Sequence, residues 1–275
     1  MQGMRGLMSR IVRTFAALAL TCALGGAASA AGVEFDQGWK AYQKGDFAGA
    51  LAAWRPLATE GDPRAQFNVG VMYDEGRGVA QNRGMAIEWW IKAATQGDIH
   101  AQHNVGLAYV TGEGVEQDFE IAVDWLSKAA GQGLIRSQYS LGKLFWTGMG
   151  VPEDTDLAFT WIRMAAKHGF DKAQYNLGKM YRDGVGTKPD QKAASDWFLK
   201  AATQGYPKAQ RNIGRRMAAG IGIAKDGVQG LIFMILAAKK GVPHTFKKRD
   251  EIAAALTAEE RAKAERMAKD WKPAK

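Results

Sequence analysis

From residue 65 to residue 244 the sequence repeats every 36 residues, without an insertion or a deletion. The phrase opens on Ala65-Gln66, Ala101-Gln102, Ser137-Gln138, Ala173-Gln174 and Ala209-Gln210. Its far end carries an aromatic at Trp89, Trp125, Trp161, Trp197 and Phe233, then paired alanines from Ala93-Ala94 to Ala237-Ala238. A fixed period of this size predicts a stack of short units, each of which buries its apolar face only against its neighbours. A repeated surface, rather than one central pocket, is then the place to seek function.

Within a unit, Ala101, Val105, Gly106 and Tyr109 fall at helical spacing, so a short amphipathic helix is predicted from about residue 99 to 110. Gly106 recurs as Gly70, Gly142, Gly178 and Gly214. Glycine inside a helix costs about 1 kcal/mol against alanine, so its return predicts a close approach between elements. A Gly-x-Gly turn follows at Gly76, Gly112, Gly148, Gly184 and Gly220, closed by Val, Thr or Ile. These glycines supply positive φ to stop the helix; no strand precedes them and the third glycine of a dinucleotide fingerprint is missing, which excludes a nucleotide loop. Asn82, Asp118, Asp154, Asp190 and Asp226 then stand where a second helix begins and are read as N-caps. One such carboxylate per unit, about 10 Å from the next, does not make a shared metal site. The second helix carries the repeated aromatic, expected to fill the core, and ends near Gly97, Gly133, Gly169, Gly205 and Gly241.

Taken together, the small residues, the Gly-x-Gly-Val turn, the acidic cap and the Trp-x-x-x-Ala-Ala helix resemble the Sel-one-like repeat family. The resemblance covers five units, 65–100, 101–136, 137–172, 173–208 and 209–244. It implies an all-α fold, a right-handed α-solenoid of stacked antiparallel helix pairs like that of tetratricopeptide proteins, with a longer loop in each unit. It also implies a non-catalytic adaptor role in protein assemblies.

Residues 31–64, with Trp39, Tyr42, Gly45-Asp46-Phe47 and Trp54, read as a plain tetratricopeptide-like pair without the Gly-x-Gly loop. Residues 245–275 read as two charged capping helices, the second opened by a capping box at Thr257 and Glu260, with Lys272 to Lys275 expected to fray. At the other end Arg5, Arg10 and Arg13 precede an apolar stretch and Ala28-Ser29-Ala30, which reads as a signal peptide over residues 1–30. The expected location is periplasmic or secreted. Removing that segment takes away three of the 37 basic residues, none of the 28 acidic ones, and the single cysteine, Cys22, leaving a formal balance of +6. With charges mixed along the chain and no long run of one sign, neither nucleic-acid binding nor a polybasic membrane patch is indicated.

Enzyme readings find little support. His100 and His103 share a helical face without a third ligand, no serine occupies a Gly-x-Ser-x-Gly elbow, and the mature chain has no thiol. No metal and no cofactor is expected. If the first helices line the concave surface, as the resemblance implies, the exposed inner positions form three rows. The first is Phe67, His103, Tyr139, Tyr175 and Arg211; the second Val71, Leu107, Lys143, Lys179 and Arg215; the third Asp74, Val110, Trp146, Arg182 and Ala218. The expected ligand is a protein or peptide segment with an acidic end, anchored by Tyr139, Trp146 and Tyr175 and steered by Lys143, Lys179, Arg182 and Arg215 on a scaffold expected to be a monomer. The alternative is a cell-wall or carbohydrate-associated protein using the same aromatics as a stacking strip.

Overall fold

The structure, a computed structural model, describes residues 27 to 274, with side chains from residue 32 onward. The expected signal peptide lies outside the described residues, except that the backbone from Ala27 belongs to the first helix. Fourteen helices and no strand occur among the described residues, in two compact units divided between Ser137 and Gln138. The first unit contains α1 (Ala27–Gln43), α2 (Phe47–Glu60), α3 (Pro63–Glu75), α4 (Arg83–Thr95), α5 (Ile99–Thr111) and α6 (Phe119–Gly131). The division falls within α7 (Ile135–Thr147). The second unit continues with α8 (Thr155–Lys167), α9 (Asp171–Asp183), α10 (Gln191–Thr203), α11 (Pro207–Ala219), α12 (Gly227–Lys239), α13 (Phe246–Ala254) and α14 (Ala258–Asp270). Within each unit successive helices pack as antiparallel pairs, the arrangement of an all-α solenoid.

Local chemistry explains the constancy of the phrase. Each second helix starts on its predicted cap: the side chains of Asn82, Asp118, Asp154, Asp190 and Asp226 accept from the backbone N–H three residues on, at 2.9 to 3.0 Å. The backbone N–H of each cap donates back to the last turn of the first helix, as from Asp190 to Tyr181 O at 2.8 Å. That bond closes the Gly-x-Gly loop.

The second glycine of that loop does more than adopt positive φ. A Cβ at Gly222 would lie 2.0 Å from the carbonyl oxygen of Gln191, and one at Gly186 2.1 Å from that of Thr155. The loops at Gly78, Gly114, Gly186 and Gly222 therefore sit against the first residue of the second helix in the preceding pair: Phe47, Arg83, Thr155 and Gln191. The glycine inside the first helix answers a different neighbour: a Cβ at Gly70 would meet Trp90 at 2.5 Å, and at Gly106, Gly142, Gly178 and Gly214 it would meet Leu126, Ile162, Phe198 and Met234 at under 3 Å.

This corrects the expectation that the repeated aromatic fills the core. The buried positions are Trp90, Leu126, Ile162, Phe198 and Met234, one residue later; Trp89, Trp125, Trp161 and Trp197 are only half-buried, and only Phe233 is buried. Lysines three residues on lie over three of the half-exposed indoles, at 4.1 to 4.2 Å for Lys92 on Trp89, Lys128 on Trp125 and Lys200 on Trp197.

The glutamine that opens the phrase is a polar rivet. Gln66, Gln102, Gln174 and Gln210 are buried and donate to Ala58, Ala94, Ala166 and Ala202 carbonyls at 3.0 to 3.3 Å. Three of them also accept from a glutamine at the end of the next second helix: Gln96 to Gln66, Gln132 to Gln102 and Gln204 to Gln174, at 2.7 to 2.8 Å. Each of those donors also reaches the carbonyl of Gly61, Gly97 or Gly169, tying neighbouring pairs together. Buried amides with satisfied partners fix one register where apolar residues alone would permit sliding.

At the carboxyl end, both arms of the predicted capping box form between Thr257 and Glu260, and Ala264 and Ala268 of α14 are buried against the last pair. The expected fraying does not extend through the tail. Ala274 N–H donates to Thr203 O at 2.8 Å, and Trp271 packs with Tyr206, Leu236 and Ala268 in the second core.

Candidate functional site

The three inner rows divide between the two units. In the first unit, Phe67 is half-buried, its ring 6.0 Å from that of His100, and its carbonyl accepts from the Trp90 indole at 3.2 Å. His103 departs from expectation: it is 8 % exposed, with Nδ1 2.8 Å from Ser137 Oγ. Burial, reinforced by the charges of Arg136 and His100, pushes its pKa down to about 4. A neutral, buried imidazole at pH 7 belongs to the packing of the first unit, against Ser137, and not to a docking surface. Leu107, with Ile87, Trp90 and Ala108, instead floors a cavity of about 270 Å³. Its rim is ionic: Arg83 lies between Asp74, at 3.7 Å, and Glu113, at 2.8 Å.

In the second unit the rows converge. Tyr139 accepts from Asn176 Nδ2 at 2.9 Å and meets Phe170 edge-on, centroids 5.1 Å apart. Tyr175 leans on Tyr206 at 5.1 Å and on Phe198 at 5.8 Å. Burial raises the pKa of the Tyr139 and Tyr206 phenols, so both remain protonated donors at neutral pH. Lys179 Nζ sits 5.0 Å from the centroid of the half-buried Trp146 ring. Partial burial lowers the Lys179 pKa, with Arg182 adding repulsion. Arg182 forms a two-pronged pair with Asp183, both contacts at 2.7 Å, which holds its pKa up. Lys143 and Arg215 are exposed. Arg211 donates to Pro243 O at 3.1 Å, and its Nε is buried without a hydrogen-bond partner.

Phe170 and Tyr206 belong to this cluster but escaped the sequence reading, which gave the start of the first helix no role. A series runs through those positions. Asp62 and Asp98 cap α3 and α5 by accepting from Ala65 and Ala101 N–H, whereas Phe170 and Tyr206 begin α9 and α11 with no side-chain cap. Replacing a cap by an apolar residue costs a helix about 1 kcal/mol. The second unit thus spends cap positions on rings, which pair with the tyrosines of the first row, Phe170 with Tyr139 and Tyr206 with Tyr175. Cationic side chains surround these rings, and one carboxylate, Asp171, acts on the Tyr139 and Tyr206 phenols; the arrangement suits an extended chain bearing apolar and acidic groups.

Among the described residues, no group of three or more His, Cys, Asp and Glu side chains is placed to hold a metal ion. No helix of the described residues is long and apolar enough to cross a membrane.

The sequence matches the Sel1 repeat family over residues 63–98, 99–134, 135–170, 171–206 and 207–242. Among solved structures, the protein c5321 of uropathogenic Escherichia coli, described as a protective antigen with an SLR fold, is 28% identical with a TM-score of 0.79. The match covers 88% of this chain and 54% of that one, so this chain spans about half of that protein. A Sel1 repeat protein of Oxalobacter formigenes is 30% identical with a TM-score of 0.73, over 88% of this chain and 98% of that one. No curated protein matches significantly.

Proposed function

This chain belongs to the Sel1 repeat family, whose members are generally protein-interaction scaffolds, and we propose on that premise that it is a non-catalytic adaptor of the bacterial cell envelope. It holds a partner protein or peptide on the face built by the first helices. The observation that carries this reading is the aromatic group of the second unit, Tyr139, Phe170, Tyr175 and Tyr206, bordered by Lys143, Trp146, Lys179, Arg182 and Arg215. Rigid aromatics supply contact area at low entropic cost, and fixed cations orient an acidic segment. Arg211 adds a positive group at the far end of the first row; Phe67 and the cavity beside Leu107 offer an apolar contact in the first unit. His103 takes no direct part.

The test is crosslinking in the native envelope, followed by mass spectrometry of the captured proteins. The variant K143E/K179E/R182E/R215E is expected to fold and to lose the partner; unchanged recovery overturns the proposal. A second reading, a glycan on the same strip, is favoured by the proximity of the Tyr139 and Tyr175 phenols to that of Tyr206, whose pKa they help to raise after burial. Salt separates the two. Capture of an acidic chain weakens between 50 and 500 mM salt, while sugar stacking is nearly indifferent.

A further inference from the structure

Four of the five repeats place a buried apolar residue at one position of the first helix: Met72, Ala108, Leu144 and Met180. The fifth places Arg216 there, 7 % exposed. The residue it faces changes with it: where other second helices have Ile87, Val123, Phe159 and Leu231, α10 has the buried Ser195.

Arg216 Nε donates to Ser195 Oγ at 2.7 Å, and Nη2 donates to the carbonyl and side-chain oxygens of Gln191 at 2.8 and 2.9 Å. All these acceptors are neutral. Among the described residues no carboxylate pairs with Arg216, and Nη1 meets no acceptor, although it is not one of the sealed-off unpartnered atoms. The same Gln191 side chain donates to the main-chain carbonyl of Arg182 at 3.2 Å, and repulsion from the Arg182 charge adds to burial in lowering the Arg216 pKa.

A guanidinium at a core position normally needs an opposite charge, because most of its hydration has been removed. Here the apolar solution exists four times in the same chain, and the fold sets it aside while supplying no acid. The charge is held by dipoles and by the Phe198 ring, whose centroid lies 5.8 Å from Cζ, while Nη1 is left without an acceptor and is not fully enclosed; a fixed fork with a free donor suits recognition of an anion. We propose that Arg216, with Arg182 and Gln191 beside it, is the carboxylate-recognition site for the acidic segment of the partner. This rests on the adaptor reading above and gives its acidic end an address.

The probe is a fluorescent hexaglutamate peptide, compared with hexaglutamine, titrated by anisotropy into the full mature chain at 50 mM salt. The wild type is expected to prefer glutamate at least tenfold. S195V/R216M, which restores the apolar pair of the other repeats, and R216Q, which keeps neutral hydrogen bonding, should both lose that preference. K188Q, which removes one exposed charge elsewhere in the second unit, should change it less than twofold. The preference surviving in either Arg216 variant overturns the proposal, as does an equal loss in K188Q or no preference in the wild type. Envelope capture that survives in R216Q but fails in K143E/K179E/R182E/R215E sinks this site and leaves the adaptor reading standing. Capture that survives in both sinks the adaptor reading itself.

Discussion

Acid should destabilise this protein through His103 in a way that can be isolated. Its imidazole is buried against Ser137 and holds a pKa of about 4, against 6.5 for a solvated side chain. The folded-state value is the lower, so between pH 6.5 and 4 the unfolded chain takes up a proton that the native chain refuses. Stability therefore falls with pH across that window, and the group contributes no such term above pH 7.5. From the two pKa values, the penalty is about 2 kcal/mol at pH 5 and approaches about 3 kcal/mol at pH 4. Asparagine at 103 retains a polar group near the Nδ1 position but does not titrate. Urea unfolding of the wild type and His103→Asn at pH 7.5, 6.0 and 5.0 isolates the effect, because the many carboxylates contribute equally to both. The asparagine variant starts less stable, and the gap should narrow by about 2 kcal/mol between pH 7.5 and 5. Parallel curves would refute the reasoning, since they require a His103 that ionises as freely in the native state as in the unfolded one.

Other perturbations follow from the joints between pairs. Gly186→Ala places a Cβ 2.1 Å from Thr155 O in a positive-φ residue, so a loss of about 2–4 kcal/mol is expected in urea unfolding; a change below 1 kcal/mol would show that the loop does not seat there. Gln174→Leu removes the bonds to the Gln204 amide and the Ala166 carbonyl, each of which keeps a contact to the Gly169 backbone, so stability should fall by about 1 kcal/mol and amide exchange should rise across α9 and α10. Deleting residues 271–275 uncovers the last pair and removes the Ala274 to Thr203 bond; a fall of several degrees in the thermal midpoint is expected.

Elements that depend on the backbone were legible in the sequence. Positive-φ glycines and Asx caps act on their own or adjacent residues, so their spacing revealed the helix pairs and the loop between them. What escaped depends on partners distant in sequence. Trp89 and Trp90 are adjacent, and periodicity alone did not say which one Gly70 would receive. The burial of the constant glutamine could not be read within one repeat, because its acceptor, Ala58, and its donor, Gln96, come from other places in the chain. His103 was placed outward by analogy with its row, yet Ser137, 34 residues on, supplies the hydrogen bond that lets it turn inward. Phe170, Tyr206 and Arg216 were overlooked for the opposite reason. Each stands at a position that other units give to a cap or to a buried apolar residue, so the period marks it as scaffold.

The seating of these Gly-x-Gly loops on the helix starts before them is a contact between main chains, with hydrogen in place of a side chain on the incoming residue. A joint of this kind carries no side-chain complementarity that two neighbours must keep in step. A unit duplicated or exchanged in a gene therefore brings this main-chain joint with it, and what must change in step is confined to side-chain contacts between neighbours, such as that of Arg216 with Ser195. Specificity can then diversify at the variable positions of one unit while the next remains undisturbed.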